Sequence, residues 1–179
     1  MMKIQATLNA SQLKIAVIVA QCNERVSSKL LEGAIRTLRK HEALDENIDI
    51  TYSPGNQEMP LLAKILAKSK RYDVVICLGA LIKENQSDSN EMCLTCNQSI
   101  ASASLETEVP IICGLLTSDN AQQAIELSGL HQGNKGIEAA LNAIEIANLL
   151  KQIQEMEPDH SGFVNKNNEE LMDKQAERV

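Results

Sequence analysis

Residues 133–136 read Gly-Asn-Lys-Gly and open a long apolar-periodic stretch that reaches Leu150. A helix start offers free backbone N–H groups and the positive end of the helix dipole, and a lysine adds a full charge. That combination predicts a holder for an anion such as phosphate around Lys135, with Glu138 beside it. Glu58 is a second candidate. It follows Pro54-Gly55 at an expected helix start, where a carboxylate either meets a ligand or simply favours the dipole. Cys93 and Cys96 have the Cys-x-x-Cys spacing, which puts both on one helix face. A zinc or cluster site needs further ligands, so the pair alone predicts two small residues of an amphipathic helix. The histidines are His41, His131 and His160, and His131 stands just ahead of the expected anion site.

The elements that must carry these groups follow from hydrophobic periodicity. Residues 14–20, 74–78 and 110–116 are near-continuous apolar runs of strand length, with a shorter candidate at 47–51. Runs without alternation suit strands covered on both faces, as in a parallel sheet. Helical patterns occupy residues 26–41, 61–70, 90–106 and 137–153. Strands alternating with helices give an α/β sandwich with right-handed crossovers. Residues 1–12 form an N-terminal arm, 13–154 the domain, and 155–179 a flexible acidic extension carrying seven acidic and three basic residues from Gln154 onward.

The chain has 179 residues, a net charge of −7 and 44% hydrophobic content, enough for one domain with a proper core. The only aromatic residues are Tyr52, Tyr72 and Phe163, so the core is aliphatic and a flat ligand has few rings to stack on. No basic patch suggests nucleic acid. No run reaches membrane-span length, and residues 1–11 lack the pattern of a signal peptide. These features read as an intracellular, cytoplasmic protein. Five cysteines, an odd count, argue against a disulfide framework, and Cys77, inside an apolar run, reads as a small core residue.

Seven segments in order give the chain a resemblance to the lumazine synthases of riboflavin biosynthesis. They are AQCNE (20–24), LLEGA (30–34), PGNQEMP (54–60), YDVVICLGALI (72–82), SLETEVP (104–110), GLLTSDNAQQAIE (114–126) and GNKGIEAA (133–140). The resemblance implies a three-layer sandwich on a flavodoxin-like four-stranded parallel sheet of order 2-1-3-4. It implies a site at the boundary of neighbouring subunits, rings of five, and in many members a shell of sixty, with no cofactor. In that family a ribityl-amino-pyrimidinedione and a four-carbon ketone phosphate condense, lose phosphate and close a second ring.

Carried onto this chain, the family's stacking rings correspond to Cys22, Gln57 and Cys113. Asp88 stands where the catalytic histidine is expected, Glu84 enters the phosphate loop, and Leu127 replaces an arginine. Asn23, Glu58, Lys135 and Glu138 remain. Stacking is worth about 0.5–1.5 kcal/mol per partner, a charged hydrogen bond about 1.5–3 kcal/mol, and a positioned proton-transfer group roughly 10²–10⁴-fold in rate. The sequence therefore predicts a vestigial pocket in a catalytically silent oligomeric shell or scaffold, with the acidic extension free to recruit a protein partner or cargo. The alternatives are a very weak lumazine synthase helped by orientation alone, or a small-ligand binder rebuilt around Cys22, Gln57, Asp88 and Cys113. Cys22 and Cys113, both at former ring positions, read as small cavity-lining residues, the alternative being a redox or metal site where they approach across a subunit boundary.

Overall fold

The computed structural model describes residues 3–83, 89–129 and 133–156. Four parallel strands form its sheet: β1 (Ile15–Ala20), β2 (Ile48–Ser53), β3 (Val74–Ile82) and β4 (Ile111–Ser118), in the order β2-β1-β3-β4. Between and after them run α1 (Glu24–Lys40), α2 (Met59–Lys68), α3 (Ser89–Thr107), α4 (Ala121–Leu127) and α5 (Lys135–Met156). The order 2-1-3-4 and the three-layer architecture agree with the sequence reading.

The continuous apolar runs have a simple cause. Along β1, Ile15, Val17 and Val19 point into a core shared with Leu30 and Leu38 of α1 and Ile144 of α5. The intervening Ala16, Ile18 and Ala20 point the other way, onto Met59 and Ala63 of α2 and Ile100 and Ala103 of α3. Both faces are covered, so neither set of side chains can be polar. β2 and β4 are the edge strands, and on β2 Ile50 and Tyr52 are exposed, which is why its pattern is the weakest of the four.

Helix boundaries differ from the periodicity reading for local reasons. α2 begins at Met59 because Pro60 sits in the first turn, where its missing N–H forfeits no helical bond. α4, absent from the sequence reading, is a short turn of helix started by Asn120, whose side chain accepts from the Gln123 N–H at 2.8 Å. The segment before β1 has no regular structure, and it is tied to the domain. Ala10 N–H donates to His41 O at 2.7 Å, and Asn148 Nδ2 donates to the carbonyls of Thr7 and Asn9 at 2.7 and 2.8 Å. Among the described residues, no helix is long and apolar enough to cross a membrane.

Candidate functional site

A cavity of about 290 Å³ opens at the carboxyl ends of β1, β2 and β3. Cys22 and Asn23 line it from the turn after β1, Gly55, Asn56, Gln57 and Glu58 from the turn into α2, Ala80 to Ile82 from the end of β3, and Met92 from α3. Three turns from separate parts of the chain must be held in register here, and a single acceptor does much of it. The carbonyl of Ala80 receives Asn23 Nδ2 and Asn56 Nδ2, each at 3.0 Å. Asn23 takes φ 53° in the left-handed region, which asparagine tolerates better than most residues. Its own carbonyl accepts the Val26 and Ser27 N–H groups at 2.8 and 3.1 Å, starting α1. Ser27 Oγ donates to Cys22 O at 2.9 Å and fixes the turn from below.

Cys22 is half-buried. Burial pushes its thiol above the ordinary range, the Asn56 backbone N–H pulls it back, and the nearby Glu58 carboxylate pushes it up again. The thiol is thus protonated at neutral pH and sits beside a carboxylate. Glu58 precedes α2 but its side chain caps nothing. It folds back over Gly55, close enough that a Cβ there would lie 2.9 Å from Glu58 Oε2. Its carboxylate lines the cavity and also stands at the positive end of α2. Gln57 is exposed and also lines a second cavity of about 490 Å³ with Pro60, Thr95, Cys96 and Ser99.

Cys22, Asn23, Gln57 and Glu58 therefore converge within one chain. Cys113, Leu127, Lys135 and Glu138 are not among the described residues lining that cavity. Cys113 lies on β4 and donates to Asn97 Oδ1 of α3 at 2.7 Å. Leu127 packs against the core beneath α1 and α5. Lys135 Nζ is paired with Glu138 Oε2 at 2.6 Å on the first turn of α5. Asp88 and His131 lie outside the described residues, as do Glu84, His160 and residues 157–179.

At the start of α5 two of the free backbone donors are taken by the chain itself: Asn134 Oδ1 accepts Gly136 N–H at 2.8 Å and Ile137 N–H at 3.2 Å. Its Nδ2 donates to Ser128 O at 2.7 Å and Lys29 O at 3.1 Å, so this buried side chain is fully spent. Gly136 serves packing. A Cβ there would sit 2.7 Å from the carbonyl carbon of Leu30 and closer still to its oxygen. The glycine lets α5 close onto α1, and sequence alone does not distinguish that need from close approach to a ligand.

Sequence reasoning also missed Asn56, whose amide joins the loop after β2 to β3, and the Lys83 Nζ to Asp119 Oδ1 pair at 2.6 Å between the ends of β3 and β4. Asn56 Oδ1 is buried without a hydrogen-bond partner among the described residues, and it occupies the space over Gly79 that a side chain would need. No group of three or more His, Cys, Asp or Glu among the described residues is arranged to hold a metal ion.

In a sheet of order 2-1-3-4 the crossovers from β1 and from β2 leave on opposite sides, and the crevice between β1 and β3 is the place where such sheets bind small molecules. The cavity sits there, so the fold is that of a flavodoxin-like α/β protein with a cavity at its topological switch point. The family model for 6,7-dimethyl-8-ribityllumazine synthase matches residues 12–151, and the chain belongs to that family. Two relatives, from two strains of Clostridium kluyveri, are each named 6,7-dimethyl-8-ribityllumazine synthase. Each is 43% identical over 150 residues, which is 84% of this chain and 97% of the relative.

This overturns the expectation of a catalytically silent shell or scaffold. That expectation rested on counting lost side chains at matched positions. Relatives bearing the enzyme's name match almost end to end, and the turns that build the cavity are intact, so the synthase alternative fits better than the silent one.

Proposed function

We propose that this protein is a lumazine synthase, which condenses a ribityl-amino-pyrimidinedione with a four-carbon ketone phosphate. The observation that carries the reading is the 43% identity to a named synthase across 97% of that relative. The preformed cavity at the switch point supports it. In the proposed reaction the substrate amine adds to the ketone and water leaves to form an imine. Phosphate is then eliminated, and the second amine closes the ring with loss of water. Holding two reactants in one crevice supplies orientation, the largest help available to a condensation of this kind. Glu58 is the carboxylate placed to take up a proton there, and the Cys22 thiol beside it packs against the flat ring in place of an aromatic face.

We propose further that the working unit is a cytoplasmic ring of five, able to build a closed shell of sixty. Cys113, Lys135 and Glu138 would then reach the cavity of a neighbouring copy rather than their own. Exposed apolar side chains at Ile50 and Tyr52 on β2, Leu61 and Ile65 on α2, and Leu94 and Leu105 on α3 support such contacts. Incubating the purified chain with both substrates and following lumazine formation tests the activity. The reading expects a rate above the uncatalysed one, reduced about tenfold or more in Glu58→Gln. A rate equal to buffer alone would reject it. Mass photometry of the same sample tests the assembly, and a monomer at micromolar concentration would exclude the ring.

A further inference from the structure

The five cysteines are scattered in sequence, and the fold brings them onto one face of the sheet. Cys77 of β3 faces Cys113 of β4 directly across the strand pairing. Cys77 and Cys96 are buried in the core beneath α2 and α3, with Cys22 and Cys93 packed against its edge. Cys96 is committed there, its thiol donating to Asn56 O at 3.2 Å. Cys22 and Cys93 are half-buried and Cys113 on β4 is exposed, and of these Cys93 and Cys113 share a partner. One carboxamide joins them: Cys113 Sγ–H donates to Asn97 Oδ1 at 2.7 Å, and Asn97 Nδ2 donates to Cys93 Sγ at 3.6 Å. Asn97 is itself exposed on α3, so rotating its side chain outward opens the path between the two sulfurs.

We propose that Cys93 and Cys113 are a redox modification site, forming a reversible disulfide by exchange with a low-molecular-weight disulfide and so clamping α3 to β4. The exposed Cys113 thiolate attacks one sulfur of the small disulfide, releasing one small thiol and leaving a mixed disulfide. The Cys93 thiolate then attacks the Cys113 sulfur and expels the second small thiol. Two protein thiols are oxidised, one external disulfide is reduced to two thiols, and the two protons leave with them. The clamp acts on the cavity wall, because Met92, next to Cys93, lines the main cavity and, with Thr95, Cys96 and Ser99, the second one. Partial desolvation between α3 and β4 raises both thiols above the ordinary range, so exchange is slow at neutral pH and quickens as pH rises. The inference rests on contacts within one chain; the assembly proposed above also uses Cys113, and a test that reads thiols rather than turnover keeps the two apart.

The test is to incubate the reduced full chain with oxidised glutathione at about pH 8.5, quench with acid, alkylate, and map peptides by mass spectrometry. The expected result is a peptide pair joined through Cys93 and Cys113, with two fewer alkylatable thiols, reversed by dithiothreitol. The pair is expected to vanish in both Cys93→Ser and Cys113→Ser. A bond between Cys93 and Cys96, a glutathione adduct that stays on Cys113, or an unchanged thiol count in the wild-type chain would each overturn the proposal.

Discussion

Replacing Gly136 by alanine separates the packing role of the α5 start from a ligand-binding one. The added methyl would stand 2.7 Å from the Leu30 carbonyl carbon and closer to its oxygen, whereas an ordinary contact needs about 3.4 Å. The obstacle is backbone, not the tip of a flexible side chain, so α1 and α5 must part along a seam that includes Leu30, Ala34, Ala140 and Ile144. Overpacking of this kind costs about 1–3 kcal/mol, and the backbone collision puts it at the upper end. Alanine's better helix propensity returns at most about 1 kcal/mol, leaving a net loss near 2 kcal/mol. For a domain of this size that is a fall in melting temperature of roughly 4–8 °C, read by circular dichroism under reducing conditions. Gly55→Ala is the matched control. There the new methyl meets only Glu58 Oε2 at 2.9 Å, a carboxylate that swings aside, so stability stays within about 0.5 kcal/mol while lumazine formation drops. A Gly136→Ala melting temperature equal to wild type would refute the packing argument. A collapse of Gly55→Ala would refute the distinction between the two glycines.

Other perturbations have equally definite outcomes. Asn134→Ala strips the cap from Gly136 and Ile137 and takes a donor from the Ser128 and Lys29 carbonyls; the urea midpoint is expected to report a loss of about 2–4 kcal/mol. Burial pushes the Cys96 thiol from 9.0 up to about 12. Because the folded value is raised, its contribution is fully present below about pH 9 and is lost as pH climbs toward 12. Melting curves across that window should steepen their decline, and Cys96→Ala should flatten it. A chain shortened to end at residue 156 is expected to keep the same melting temperature and particle size, since residues 157–179 offer few apolar side chains to offset their ordering entropy of roughly 1–2 kcal/mol per residue.

The sheet was legible because burial on both faces leaves a continuous apolar run, and β1 and β3 are such runs. β2 was fainter because an edge strand exposes Ile50 and Tyr52. α4 was missed because its seven residues carry little apolar periodicity, although Asn120 ahead of it is a capping signal. In the site, Cys22, Asn23, Gln57 and Glu58 were legible through the resemblance carried by the segments AQCNE and PGNQEMP. The joint role of the Ala80 carbonyl was not, since a backbone acceptor has no sequence signature. A tight helix crossing and an anion cradle call for the same small residues at the Gly-Asn-Lys-Gly start, and the position of Leu30 shows that Gly136 serves the crossing. Of the cysteines, Cys77 is the buried core residue that its apolar run predicts. A single Cys-x-x-Cys is weak, and nothing local reveals that parallel pairing sets Cys113 against Cys77 and beneath α3. Counting lost side chains at matched positions also misjudged activity, because such losses are not additive when the groups act as a unit.

Condensation of the two lumazine precursors in the cavity between β1 and β3 is read by the initial rate of lumazine formation with the wild-type chain and with Glu58→Gln, against the same mixture without protein. The expected result is a wild-type rate that scales with protein concentration above the uncatalysed background and falls in the variant. A wild-type rate indistinguishable from background, in a sample whose melting curve shows it folded, would contradict it.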